Sequence, residues 1–133
     1  MIERPCRRAS VLAVVALLLV PACRPRFRFP PPLAPPVGFV QEGIASWYGP
    51  GYDGRRTSSG EVFDQDALTG AHTTFVFGTR VKVTLLSTGK SVVVRINDRL
   101  PRADRLIDLS RGAARRIGLI GPGTGRVRLE VVN

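Results

Sequence analysis

Residues 80–96, RVKVTLLSTGKSVVVRI, decide the fold class of this chain. Apolar and polar side chains alternate over residues 80–85, a pattern typical of a strand with one buried face. Residues 87–90, STGK, have the composition of a hairpin turn. Residues 91–96 are mostly β-branched and apolar, which indicates a strand buried on both faces. The segment therefore predicts a β-hairpin in the core of a β-rich domain.

Further strands and one helix are predicted around this hairpin. Residues 43–48 (GIASWY) and 126–131 (RVRLEV) have the composition of strands. Ser110 is a suitable helix cap, residues 112–117 (GAARRI) form a short helix, and Gly118 ends it. One helix among several strands favours a small closed barrel, because closure leaves no strand edge exposed.

The composition excludes several kinds of site. The 133 residues, 44% of them hydrophobic, suffice for one domain with its own core. Both cysteines, Cys6 and Cys23, lie near the start of the chain, which argues against a disulfide framework and against a zinc site built on paired cysteines. His72 is the only histidine, so a multi-histidine metal site is excluded as well. We therefore expect no metal and no cofactor.

The formal net charge of +10 raises the question of a polyanionic partner. The arginines are scattered over the predicted strands and helix, and no long basic run is interleaved with aromatic residues. We therefore expect no nucleic-acid partner. The charge suits an anionic cell wall or lipid surface instead.

Residues 1–22 resemble a bacterial lipoprotein signal peptide. Several arginines precede an apolar run over residues 11–20, which is too short to span a bilayer. Residues 20–23, VPAC, resemble a lipobox, although Pro21 is unusual at its position. Cleavage before Cys23 would leave this cysteine as the lipidated N-terminus. Plain secretion is the alternative.

Residues 23–42 are expected to join the lipidated cysteine to a barrel domain over residues 43–133. Six prolines within residues 24–42 indicate an extended, semi-rigid tether. We expect a lipid-anchored membrane protein of the cell envelope. Arg24, in place of the aspartate that commonly retains lipoproteins at the inner membrane, favours the outer membrane facing the periplasm if the cell is Gram-negative.

Four blocks of sequence resemble one known family. They are residues 43–64 (GIASWYGPGYDGRRTSSGEVFD), 67–84 (ALTGAHTTFVFGTRVKVT), 91–99 (SVVVRINDR) and 105–118 (RLIDLSRGAARRIG). In order and spacing they resemble the rare lipoprotein A family of bacterial envelope lipoproteins. The resemblance implies a mostly β fold, a six-stranded double-psi β-barrel with one or two short helices.

The resemblance also implies an activity on peptidoglycan. Members are described as endolytic lytic transglycosylases, which cleave MurNAc–GlcNAc bonds to give 1,6-anhydro products and prefer naked glycan strands lacking stem peptides. The substrate's own 6-hydroxyl is the nucleophile, so one acid/base suffices. We expect a monomer that acts on glycan strands, without the C-terminal peptidoglycan-binding domain of many members. The alternative is a non-catalytic, expansin-like peptidoglycan-binding module.

The resemblance implies three catalytic residues, Asp98, Glu61 and His72. Asp98 is the expected general acid/base, and Glu61 is a second carboxylate for the oxocarbenium-like transition state or for a substrate hydroxyl, or alternatively a surface-loop acid. His72 contacts sugar or orients an acid, or alternatively is structural. Asp98 also follows the apolar strand at the point where it meets a loop, a position suited to an acid. The alternative for Asp98 is a carboxylate that caps a turn. The family usually has glycine where this chain has Leu100, and leucine does not tolerate a positive φ as glycine does.

Three further residues are predicted to bind substrate: Tyr48, Tyr52 and Arg99. A flat aromatic face matches the face of a pyranose ring. Strand alternation points either Trp47 or Tyr48 inward, and we assign Trp47 to the core. Arg99 binds substrate or, alternatively, holds the preceding carboxyl group as a carboxylate. Asp108 is predicted to be structural.

Overall fold

In the described part of the chain, residues 28–133, six strands close into a barrel that carries one α-helix. The computed structural model describes residues 28–133, so the predicted signal peptide and Cys23 lie outside the described residues. The elements in chain order are β1 (Val40–Trp47), a 3₁₀ turn (Pro50–Tyr52), β2 (Thr69–His72), β3 (Arg80–Leu85), β4 (Ser91–Asp98), β5 (Ile107–Leu109), α1 (Arg111–Ile117) and β6 (Thr124–Val132). No helix among these residues is long and apolar enough to cross a membrane.

The strands follow one another around the barrel in the order β1-β5-β2-β4-β3-β6. The pairs β1–β5 and β2–β4 are parallel, and the other four pairs are antiparallel. Strands that are distant in sequence therefore lie side by side, as in a double-psi β-barrel. The predicted fold class is confirmed.

The predicted hairpin is the antiparallel pair β3–β4. Its turn closes through a hydrogen bond from the Gly89 N–H to the Leu85 carbonyl oxygen, with Gly89 at a φ of 75° that favours glycine. The expectation that β4 is buried on both faces is wrong, because Val93 is half-buried and Arg95 is exposed. One face of β4 packs in the barrel interior, and the outer face of this strand is only partly covered.

Helix α1 begins and ends where the sequence predicts. The Ser110 side chain accepts a hydrogen bond from the Ala113 N–H, and Gly118 closes the helix in the left-handed conformation, at a φ of 77°. The helix approaches the segment before β2 closely, since a Cβ on Gly112 would clash with the Asp66 carbonyl oxygen. This contact fixes α1 against the barrel wall.

Part of the proline-rich segment contacts the barrel. The Leu33 N–H donates to the Thr74 carbonyl oxygen at 2.6 Å, and the Val76 N–H donates to the Leu33 carbonyl oxygen at 2.8 Å. Strand β1 begins at Val40, so the boundary predicted at residue 43 falls within a strand.

Candidate active site

Acidic side chains meet in one transverse row of the barrel wall. Ala71 of β2 pairs with Asp98 of β4 on one side and with Asp108 of β5 on the other. Asp108 pairs in turn with Ser46 of β1. Residues paired in this way project from the same face of a sheet, and two strand spacings separate the Cα atoms of the two aspartates by roughly 10 Å. The Ala71 methyl group therefore lies between two carboxyl groups.

A β-bulge places Asp98 in this row. Gly70 pairs with Ile96, whereas Ala71 pairs with Asp98, so Asn97 is the extra residue of β4. In a regular ladder Ala71 would pair with Asn97, which is buried here. Bulges commonly redirect a side chain beside a functional site. Here the bulge exchanges an amide for a carboxyl group.

A cavity of about 280 Å³ opens over this row. Its lining residues combine two carboxyl groups with two tyrosine rings, and they are Tyr48, Tyr52, Ala71, Asp98, Arg99, Leu100, Pro101 and Asp108. The cavity therefore contains one of the three predicted catalytic residues and all three residues predicted to bind substrate.

Asp98 is held by main-chain donors. Its Oδ1 accepts hydrogen bonds from the backbone N–H groups of Ser58, at 2.9 Å, and Arg99, at 2.8 Å. Within residues 28–133, Asp98 makes no ion pair, and its Oδ2 has no hydrogen-bond partner. One oxygen is thus fixed while the other is left to a ligand.

The Arg99 guanidinium group turns away from this carboxyl group. Its Nη1 donates to the main-chain carbonyl oxygens of Phe75, at 2.6 Å, and His72, at 3.4 Å. The group also lies 4.1 Å above the centre of the Phe77 ring. Burial lowers the pKa of Arg99, and the nearby Asp98 opposes that change. Arg99 therefore fastens the loop after β4 to the segment after β2.

Leu100 fits the position at which the family usually has glycine. No residue other than glycine has a positive φ in the described ranges, so this loop does not require glycine's conformational freedom. The Leu100 side chain is almost fully buried beneath the cavity. The substitution therefore adds an apolar wall to the site.

Asp108 belongs to the site, which the sequence interpretation missed. Its Oδ1 accepts a hydrogen bond from the Ser46 hydroxyl and lies 3.6 Å from Arg105 Nη1. Arg105 Nη1 also donates to Ser46 Oγ at 2.6 Å. The carboxyl group is mostly buried, with 16% of the side chain exposed. The alternation of apolar and polar residues in Ile107–Leu109 could have predicted that Asp108 faces away from the core. In the structure Ile107 and Leu109 are buried in the core, and Asp108 lies on the opposite face of β5.

The two tyrosines form one side of the cavity. The Tyr48 ring stacks on Phe63 with a centroid distance of 4.5 Å, and the edge of one tyrosine ring meets the face of the other at 5.7 Å. Tyr52 is about half exposed, which leaves part of its ring open to a ligand. Trp47 instead packs against the core, as expected.

The Tyr48 hydroxyl is buried in the wall of the cavity. Its oxygen is buried without a hydrogen-bond partner among the described residues. Burial raises the pKa of Tyr48 strongly, the negative charges of Asp98 and Asp108 raise it further, and the Thr69 hydroxyl opposes the change slightly. The phenol therefore stays protonated.

Glu61 lies outside the cavity lining and pairs with β4. Its two oxygens accept hydrogen bonds from Arg95, at 2.5 Å and 3.0 Å, and Oε2 accepts a third from Asn97 at 3.3 Å. The hydrogen bonds from Arg95 and then Asn97 lower the pKa of Glu61. Its backbone carbonyl oxygen accepts from the Thr57 N–H, closing the turn that carries Ser58. Glu61 thus clamps this turn to the strand that bears Asp98.

His72 is buried beneath the site and does not line the cavity. Its Nδ1 accepts hydrogen bonds from the N–H groups of Thr74, at 3.1 Å, and Phe75, at 3.2 Å. Since backbone N–H groups only donate, the ring proton lies on Nε2, which donates to Gln41 Oε1 at 3.1 Å. Burial, and then the positive charge of Arg99, lower the pKa of His72 to about 4. The imidazole is therefore neutral at about pH 7.

A larger cavity of about 410 Å³ lies against helix α1. Arginines of the helix surround it, and its acid, Asp66, already pairs with Arg111 at 2.8 Å. It offers neither an unpaired acid nor an aromatic ring. Within the described range, no group of three or more His, Cys, Asp or Glu side chains is placed to hold a metal ion. The smaller cavity is therefore the candidate active site.

Comparison with solved structures agrees with the barrel topology. The Streptomyces papain inhibitor superposes with a TM-score of 0.61 at 23% sequence identity, over 74% of this chain and 98% of the inhibitor. At that identity the likeness concerns the fold alone.

Sequence relatives specify the family. The family model described as lytic transglycolase matches residues 40–129. The probable endolytic peptidoglycan transglycosylase RlpA of Synechocystis is 63% identical over 94 residues, 70% of this chain and 29% of that protein. The endolytic peptidoglycan transglycosylase RlpA of Campylobacter jejuni is 54% identical over 97 residues, 72% of this chain and 35% of that protein. The chain spans about a third of the length of these curated relatives. By the family match and these identities, it belongs to the lytic transglycolase family of double-psi β-barrel proteins that includes RlpA.

Proposed function

We propose that this chain is an endolytic peptidoglycan lytic transglycosylase that cleaves MurNAc–GlcNAc bonds of naked glycan strands and leaves 1,6-anhydro ends. The observation that carries the proposal is the cavity that Asp98 lines together with Tyr48 and the half-exposed Tyr52 ring, with Asp98 Oδ2 left without a hydrogen-bond partner among the described residues. Family membership, and the activity named for relatives such as that of Campylobacter jejuni, agree with it.

Asp98 is the acid/base of the proposed reaction. In its protonated form it gives its proton to the glycosidic oxygen as the bond from that oxygen to the anomeric carbon breaks. The 6-hydroxyl of the same sugar then bonds to the anomeric carbon, and its proton passes to the Asp98 carboxylate. Asp98 thereby returns to its protonated form, and no water is consumed.

The tyrosines bind the sugar in this proposal. Tyr52 offers a half-exposed ring for a pyranose face, and the Tyr48 ring lines the cavity beside it. A cavity of about 280 Å³ is at the small end of ligand sites, closer to one sugar residue than to a branched glycopeptide. That size favours glycan strands without stem peptides.

Glu61 and His72 position the acid instead of moving the proton. Glu61 is committed to Arg95, and through the turn it holds the Ser58 N–H that binds Asp98. His72 is committed to backbone N–H groups and to Gln41. The catalytic role that the resemblance implies for these two residues stays a prediction, and their geometry favours support. In the same way, Arg99 shapes the cavity wall, and its role in binding substrate stays a prediction.

The location is also part of the proposal. A monomer anchored through lipidated Cys23 in the outer membrane would place the barrel in the periplasm, against the glycan. The proline-rich tether provides reach from the membrane, although the contact of Leu33 with the barrel shortens its free length.

Digestion of two substrates tests the function. The full chain, solubilised in detergent, is incubated with intact sacculi and with glycan stripped of its stem peptides, and the products are identified by mass spectrometry. We expect 1,6-anhydro-ended fragments, released faster from the stripped glycan. Binding to glycan without any anhydro product would favour the expansin-like binding module instead. Fragments with reducing ends would indicate hydrolysis.

A further inference from the structure

A second carboxyl group faces the candidate active site from across its floor. Asp108 lies in the same row as Asp98, with only the Ala71 methyl group between them. Both aspartates line the cavity, and both are close enough to the Tyr48 hydroxyl to raise its pKa. A sugar seated over Ala71 would therefore have a carboxyl group at each side.

The surroundings of the two carboxyl groups differ. Asp108 has a guanidinium group beside it, at 3.6 Å from Arg105, and also accepts from the Ser46 hydroxyl. Asp98 has two backbone N–H donors and, within residues 28–133, no ion pair. One carboxyl group thus has a cation beside it, and the other has none among the described residues.

We propose that Asp108 is a second catalytic residue, an anion that stabilises the positive charge developing on the sugar ring while Asp98 transfers the proton. The inference rests on the proposed lytic transglycosylase function. Cleavage of a glycosidic bond passes through an oxocarbenium-like state, with positive charge on the anomeric carbon and the ring oxygen. A carboxylate that is already held in place in a mostly buried position stabilises this state effectively, because the site need not reorganise when the positive charge develops.

The assignment leaves the proton balance of the reaction unchanged. Asp98 gives a proton to the leaving oxygen and recovers one from the 6-hydroxyl. Asp108 exchanges no proton and forms no bond. Its contribution is electrostatic only, since its carboxylate faces the bound ring across the cavity. A purely structural Asp108 would instead tie β5 to β1 through Ser46 and have no effect on charge in the cavity.

The test is Asp108→Asn in the full chain, with Asp64→Asn as the matched control, because Asp64 is exposed and outside the cavity. Turnover of stripped glycan should fall about 10²-fold or more in Asp108→Asn, with glycan affinity within about threefold of wild type. The control should match wild type. Turnover within about threefold of wild type in a folded Asp108→Asn protein would overturn the proposal.

A pair of ligands separates charge from structure. A cationic imino-sugar analogue of N-acetylhexosamine should bind wild type more tightly than its neutral counterpart, and Asp108→Asn should lose that preference. Ser46→Ala, which removes the tie to β1 and keeps the carboxylate, should retain it. Equal preference in wild type and Asp108→Asn contradicts the proposal.

Two outcomes remain to be separated. If Asp108→Asn does not fold, Arg105→Gln takes its place in the test, because it removes the cation beside Asp108. The cationic ligand should then bind to Arg105→Gln more tightly than to wild type. An unchanged preference for the cationic over the neutral ligand would overturn the proposal. If wild type releases no anhydro product, the proposed enzyme function fails. The ligand preference still decides whether the Asp108 charge faces the bound sugar.

Discussion

Lowering the pH should destabilise the barrel through His72. The folded state holds the imidazole neutral, because Nδ1 accepts two backbone N–H bonds and the ring stacks on Phe75 at 3.8 Å. Burial, followed by the charge of Arg99, lowers the pKa of His72 from 6.5 to about 4. Between these values the unfolded chain binds a proton that the folded chain does not. The stability is therefore complete above pH 6.5 and is lost as the pH falls towards 4.

The size of the effect follows from the same two values. The gap between 6.5 and about 4, at about 1.4 kcal/mol per pH unit, corresponds to about 3 kcal/mol of unfolding free energy. His72 is 3% exposed, so solvent screens the effect little. The unfolding free energy of a typical domain is roughly 5–15 kcal/mol, so the loss expected from His72 is a large fraction of the total.

Urea unfolding of the full chain across this pH window measures the effect. His72→Asn is the matched control, since an amide oxygen can accept the same N–H bonds but does not titrate. Carboxyl groups such as Glu61 titrate in both proteins, so their contribution cancels in the difference. Wild type should lose about 3 kcal/mol more than His72→Asn between pH 6.5 and 4. Equal losses in the two proteins would refute the description of His72 as a buried neutral group.

Two other changes test the cavity and the anchor. Ala71→Leu adds a larger side chain to the cavity floor between Asp98 and Asp108, so the affinity for stripped glycan should fall at least about tenfold. Circular dichroism should show that the barrel is still folded. Unchanged affinity would mean that glycan binds elsewhere. Cys23→Ser should abolish incorporation of a fatty-acid analogue and release the protein from sedimented membranes, whereas continued labelling would contradict the predicted lipid anchor.

Local patterns were sufficient for much of the fold. The alternation in β3, the turn closed by Gly89, and the cap and stop of α1 at Ser110 and Gly118 each depend on neighbouring residues, so the sequence predicts them directly. The β4 strand was harder, because a run of valines does not reveal that its outer face is only partly covered. The balance of one helix among several strands favours barrel closure, but the six-stranded double-psi arrangement depends on pairings between distant strands and was available only through the family resemblance.

The site depended on features without a local signature. The bulge at Asn97 and the β2–β5 register together place Asp98 and Asp108 around Ala71, and no sequence pattern gives a register between strands so far apart. The buried state of His72 likewise arises from backbone N–H groups that fold back on its ring. Matching a family motif therefore singled out Asp98 as the candidate acid, but not the groups that surround it.

The release of 1,6-anhydro ends by Asp98→Asn tests the central claim most directly. The amide oxygen can still accept the N–H bonds of Ser58 and Arg99, so the variant should fold and bind stripped glycan, yet it has no carboxyl proton to donate. We predict that anhydro-product formation falls about 10²-fold or more relative to both wild type and Asp64→Asn. Product formation within about threefold of wild type would show that the acid of this barrel is not Asp98.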